Sequence, residues 1–161
     1  MTTKEIKIQL MIYNSEAELC QIDQELITLA RKACLTAYAP YSNFKVGAAV
    51  LLSNGELCFG SNQENAATPA GTCAERTVLN WIGANRPEQT IECIAIAAIN
   101  QNNEKASGLS PCGVCRQVIA EFQNRQQKPI RLLLDDKNQI TEVSDIFDLL
   151  PLGFNASSLN K

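Results

Sequence analysis

Residues Ile91 to Ile99 read Ile-Glu-Cys-Ile-Ala-Ile-Ala-Ala-Ile, a run with one charged member and no alternation of polar with apolar positions. A strand of that kind has two faces to bury, so it belongs at the centre of a sheet with helices on both sides. The rest of the chain supplies the other layers. Ile6, Ile8, Leu10 and Ile12 alternate with Lys7, Gln9 and Met11, the period of a half-buried edge strand. Ser15 with Glu18 fits a capping box, and Leu19, Ile22, Leu26, Leu29, Ala30, Ala33 and Ala37 then recur at helical spacing as far as Pro40. This predicts one helix with a break near Asp23. Phe44 to Leu52 and Leu57 to Ser61, joined by Ser53-Asn54-Gly55, read as a hairpin.

Pro69 and Gly71 make Asn65 to Thr72 a loop, and a helix follows from about Cys73 to Asn85, closed by Arg86-Pro87. Asn100 to Ser110 is a polar loop. Pro111 marks a helix start, with Val114, Val118, Ile119 and Phe122 along one face. Strands are expected at Ile130 to Leu134 and near Ile140 to Val143, and a short helix at Ile146 to Leu149. The order predicts an α/β fold: a three-layer α-β-α sandwich on a mixed sheet of about five strands, plus an N-terminal edge strand and helix. With 161 residues and no linker-like tract, one domain is expected over 1–161, with 1–23 as an extension on the sheet and 24–154 as its core.

Charge and cysteine usage narrow the chemistry. The net charge of -3 is not the footprint of a nucleic-acid binder, and no run approaches the about 18 apolar residues of a membrane span. Neither nucleic acid nor membrane is expected as a partner. There are seven cysteines and no histidine. The missing histidine excludes Ser-His-Asp and Cys-His nucleophiles and every imidazole metal site. An odd number of thiols without a secretory leader argues against a disulfide scaffold, so a reducing cytoplasm is expected. Cys34 and Cys93 lie among apolar residues and read as small buried hydrophobes.

Three of the remaining five thiols carry the pattern. Thr72-Cys73-Ala74-Glu75-Arg76 and Pro111-Cys112-Gly113-Val114-Cys115-Arg116 each stand at a predicted helix start, where unpaired N–H groups and the helix dipole favour thiolate. Three sulfurs from two helix starts can close around one Zn(II). Three protein ligands leave a coordination position open, as catalytic zinc requires, whereas structural zinc takes four. Glu75 shares a turn with Cys73 and can exchange a proton with water at such a metal; its ordinary alternative is a solvated first-turn glutamate. Three thiolates leave zinc over-neutralised, and Arg76 can withdraw charge from the sulfurs. Its ordinary alternative is a surface arginine.

The pairing of Cys-Ala-Glu with Pro-Cys-x-x-Cys is the signature of the zinc-dependent nucleoside and nucleobase deaminases, in which the glutamate shuttles protons without ligating the metal. Further segments agree: Tyr38-Ala39-Pro40-Tyr41-Ser42-Asn43-Phe44-Lys45-Val46-Gly47, Asn62-Gln63-Glu64-Asn65-Ala66, and Leu149-Leu150-Pro151-Leu152-Gly153-Phe154. From about Ala30 to Phe154 the chain resembles the small homotetrameric cytidine deaminases. The resemblance implies hydrolysis of cytidine and deoxycytidine to uridine and deoxyuridine plus ammonia, in pyrimidine salvage. It implies one zinc per subunit on Cys73, Cys112 and Cys115, Glu75 as catalytic residue, and Arg76 beside the ligands. It also implies substrate contacts from Phe44, Asn62, Glu64 and Ala74, with Phe154 closing the site of a neighbouring subunit. Thr68 departs from the pattern, since family members often carry tyrosine there. The residues alone leave open a deaminase of blasticidin-type antibiotics, a non-catalytic zinc-stabilised binding module, and a dithiol redox protein using Cys112 and Cys115.

Overall fold

The computed structural model describes residues 1–156 and residue 159. Among these residues the strands are β1 (Leu10–Tyr13), β2 (Lys45–Leu52), β3 (Leu57–Ser61), β4 (Ile91–Ile99), β5 (Arg131–Asp135) and β6 (Ile140–Val143). The helices are α1 (Gln21–Cys34), α2 (Ala74–Asn85) and α3 (Gly113–Gln126), and short 3-10 turns lie at Glu16–Glu18, Thr68–Ala70 and Ile146–Asp148. The strands form one sheet in the order β1-β6-β5-β4-β2-β3. Only β4 and β5 run parallel among its pairs, joined through α3, so the sheet is mixed.

The apolar run of β4 is buried as its composition demands. Ile94 and Ile96 face a core shared with Val78, Leu79 and Ile82 of α2 and Ile119 of α3. Cys93, Ala95 and Ala97 face the opposite core, where Leu26, Ile27, Ala30 and Cys34 of α1 cover them. The alternation of strand side chains thus splits one apolar segment between two helical layers. The sandwich is the expected one. Small residues on the α1 face let that helix approach closely. At Gly47 an added Cβ would lie 2.0 Å from the Ala30 carbonyl oxygen and 2.7 Å from the Cys34 backbone nitrogen. Both are backbone atoms, which cannot swing aside as a side chain can. Gly47→Ala is therefore expected to lower the unfolding free energy by about 1–3 kcal/mol or more, read from the urea midpoint; an unchanged midpoint would mean α1 moves freely over β2.

The N-terminal region differs from the periodic reading in extent. β1 begins at Leu10 because β6 has only four residues to offer it, pairing Leu10 with Val143 through Tyr13 with Ile140. Ile6 and Ile8, expected in the strand, lie before that ladder and are exposed. The helix expected from Ser15 is interrupted: the Ser15 hydroxyl accepts from Ala17 N–H and caps only a 3-10 turn, and Leu19 and Cys20 are extended before α1. The break lies at 19–20 because Leu19 turns into the α1-side core, 6% exposed.

Half-buried cations paired with the buried carboxylates Asp135, Asp23 and Glu142 fasten α1 and this extension to the far half of the sheet. Arg31 grips Asp135 at 2.7 and 2.9 Å and Glu16 at 2.6 Å. Lys105 reaches the same Asp135 at 2.7 Å. Arg131 holds Asp23 at 2.8 and 3.0 Å and Glu142 at 3.2 Å, while the Tyr13 hydroxyl donates to Glu142 at 2.9 Å. No helix of the described residues is long and apolar enough to cross a membrane.

Candidate active site

The two helices on one face of the sheet bring their starts together. Cys73 is the N-cap of α2 and Cys112 the N-cap of α3, both with extended backbone and no side-chain cap. Cys115 is the third residue of α3 and fully buried. Because α2 follows β3 and α3 follows β4, residues 39 positions apart in sequence meet: the Cys73 and Cys112 sulfurs are 3.9 Å apart. Cys112 and Cys115 are 3.5 Å apart, and the three sulfurs lie within 4.8 Å of one another.

These separations test the donor set against zinc. Tetrahedral bonds of about 2.3 Å put neighbouring sulfurs about 3.8 Å apart, and the separations of 3.5 and 3.9 Å straddle that value. No disulfide occupies the cluster, since all seven cysteines are free. Arg76 lies against it, its Nη2 donating to the Gly71 carbonyl at 3.1 Å and to Cys73 Sγ at 3.9 Å. Its Nε is buried without a hydrogen-bond partner among the described residues. The Cys73 thiol is held well below the ordinary thiol range, first by a hydrogen bond from Cys115 and also by Arg76 and Cys112. The same bond to Cys73, together with burial, pushes Cys115 up. Negative charge thus collects where the guanidinium can answer it. The donor set fits a thiophilic divalent cation.

Glu75 stands in the first turn of α2, 4% exposed. Burial pushes its carboxyl above the ordinary carboxylate range, with the Cys73 charge adding to the rise. That environment suits a group that must hold and release a proton near neutral pH. The reading as a solvated surface glutamate does not hold, because the side chain points inward.

Cys73, Cys112, Glu75 and Arg76 line one end of an open cavity of about 700 Å³, within the usual range for a small-molecule site. Phe44, Asn62 and Glu64 line the same cavity, as do Thr68 and Ser110. Three residues named from sequence stand outside that lining: Cys115, which is fully buried, Ala74 and Phe154. Ala74 is fully buried and packs into the core beside Val78 and Leu79. Phe154 is 58% exposed, its carbonyl accepting from Gln117 Nε2 at 2.9 Å.

The structure adds a duty to the Asn62 and Glu64 pair that spacing did not suggest. The Asn62 amide accepts from Val46 N–H at 2.7 Å and donates to the Phe44 carbonyl at 2.9 Å. Glu64 accepts from Tyr41 and Ser42 N–H at 2.8 and 3.3 Å, and hydrogen bonds from this segment hold its carboxyl below the ordinary range. Both residues therefore stitch the segment that presents Phe44. Ser110 and Tyr41 also line the cavity and were missed as site residues; their only signal was adjacency to the Pro-Cys-x-x-Cys and Asn-Phe segments.

Residues 20–128 match the family model described as the cytidine and deoxycytidylate deaminase zinc-binding region. The chain is 37% identical over 137 residues to a cytidine deaminase of Sporosarcina psychrophila, covering 85% of this chain and 94% of that one. It is 37% identical over 138 residues to a cytidine deaminase of Halalkalibacterium halodurans, covering 85% and 97%. The crystal structure of a cytidine deaminase from Burkholderia pseudomallei superposes with a TM-score of 0.68 at 35% identity, covering 81% of this chain and 97% of that one.

Proposed function

The chain belongs to the cytidine and deoxycytidylate deaminase family, and from that premise we propose that it is a zinc-dependent hydrolase converting cytidine and deoxycytidine, with water, to uridine and deoxyuridine plus ammonia. One observation carries the reading: Cys73 and Cys112, which with the buried Cys115 stand at zinc-ligand spacing, share one cavity of about 700 Å³ with the buried Glu75 and with Phe44, Asn62 and Glu64. Cys73, Cys112 and Cys115 would hold one zinc per subunit, and Zn(II) supplies the Lewis acidity that makes water a nucleophile near neutral pH.

The chain's own residues do the remaining work. Glu75 takes a proton from the attacking water, delivers it to ring N3, and serves the departing amine at C4. Phe44 offers an aromatic face to the base, and Asn62 and Glu64 offer an amide and a carboxylate to the sugar hydroxyls. Ala74 supports the wall from beneath, between a ligand and the proton shuttle. Arg76 offsets the charge of three thiolates. Phe154, exposed and outside its own chain's cavity, is suited to closing the site of a neighbour in a homotetramer. One domain over the whole chain, with residues 1–23 as an extension, a cytoplasmic setting and a place in pyrimidine salvage complete the proposal.

The test begins with metal analysis of the anaerobically purified protein, followed by loss of cytidine absorbance and release of ammonia. Turnover of a blasticidin-type antibiotic in place of either nucleoside, or none at all by a zinc-loaded preparation, would overturn the assignment. Cys112→Ala is expected to purify with far less than one zinc per chain. Stoichiometric zinc in that variant would remove Cys112 from the ligand set.

A further inference from the structure

The approach to Cys112 is organised by one side chain. Cys112 itself is exposed, so burial does not fix it, and Pro111 has no N–H to contribute to a turn. The segment begins with Leu109 N–H donating to Asp136 Oδ2 at 3.0 Å. The next two residues are held by Arg116, whose Nη2 donates to Ser110 Oγ at 2.9 Å and whose Nε donates to the Pro111 carbonyl at 2.8 Å. Its Nη1 donates to the Leu149 carbonyl at 2.9 Å, just after the 3-10 turn that packs on α3. The Arg116 backbone N–H closes the first turn on the Cys112 carbonyl at 2.9 Å.

Arg116 therefore touches both residues before Cys112, the Cys112 backbone and the C-terminal segment, while no hydrogen bond joins it to a sulfur among the described residues. A planar fork reaches these diverging acceptors at once, whereas an ammonium group on a flexible stem is a single point. We infer that Arg116 is a positioning residue: it braces the Ser110-Pro111 approach against Leu149 and so keeps the Cys112 sulfur at closing distance from Cys73 and Cys115. The inference rests on the assignment of those three thiols as zinc ligands made above.

The experiment follows zinc release from the purified, zinc-loaded protein to excess 4-(2-pyridylazo)resorcinol, well below the melting transition. Outer partners of a metal ligand typically shift metal affinity 10–100-fold, so Arg116→Ala and Arg116→Lys are expected to release zinc about 10–100-fold faster than wild type. Arg125→Ala removes an arginine of the same helix, one that sits over the Phe122 ring at 5.0 Å, and is expected to release at the wild-type rate. Should Arg116→Ala fail to fold, Arg116→Lys decides. Wild-type release rates in the Arg116 variants, even with a lowered melting midpoint, overturn this inference alone. A wild-type chain that neither carries nor takes up zinc overturns the ligand assignment and, with it, the inference.

Discussion

Glu75→Gln is expected to retain stoichiometric zinc and a native fold while turnover of cytidine falls by about 10²–10⁴-fold, the usual worth of a positioned general acid–base group. The substitution is nearly isosteric and removes the carboxyl's charge and its capacity to carry a proton. It leaves the three thiols, the Arg76 contact and the cavity wall untouched. Burial raises the cost of the charged form of Glu75, and a neutral amide adds no charge for the fold to bury. The melting midpoint is accordingly expected at or above the wild-type value. Turnover within tenfold of wild type, with zinc present, would show that another group moves the proton.

Arg131→Ala is expected to destabilise the protein by about 3–5 kcal/mol, the range for leaving buried charge without its partner. Asp23 and Glu142 are each 4% exposed, and Arg131 is the cation hydrogen-bonded to both. Without it two carboxylates from α1 and β6 share a low-dielectric site in which, among the described residues, the Tyr13 hydroxyl still donates to Glu142. Combining Arg131→Ala with Glu142→Gln should recover part of the loss, since one buried charge is gone and the amide oxygen can still accept from Tyr13. Urea unfolding monitored by circular dichroism measures both the single and the double variant. A single-variant loss below about 1 kcal/mol, the level of an exposed pair, would mean the carboxylates find water or another cation.

Local signals were read well where they depend on near neighbours in the chain. The bounds of β4, Ile91–Ile99, agree with its apolar run, β6 lies at Ile140–Val143 as expected, and the hairpin of β2 and β3 follows its Asn-Gly turn. Both cysteine motifs sit at helix starts, as their flanking loop residues implied. The N-terminal strand was less legible, because its length is set by the four residues of β6, more than a hundred positions away. The helix break at Leu19 and Cys20 was misplaced to Asp23 for a similar reason: Leu19 leaves the helical path to enter a core built by α1 and the sheet. Asp23, which looked like a breaker, is instead a buried partner of Arg131.

What the sequence determined by itself was the kind of site. Seven cysteines with no histidine make any cysteine-based metal centre here free of imidazole, and the Cys-Ala-Glu and Pro-Cys-x-x-Cys segments place thiol and carboxylate within single helical turns, a matter of local geometry. What only the tertiary structure decided was which groups meet. It joined Cys73 to Cys112 across 39 positions, left Cys34, Cys58 and Cys93 buried and apart from that cluster, and turned Asn62 and Glu64 toward the segment that carries Phe44. The physical reason is the crossing of a chain through a shared core. The core on one face of β4 is shared by α2 and α3, whose starts meet at Cys73 and Cys112, and no periodicity within either helix encodes that encounter.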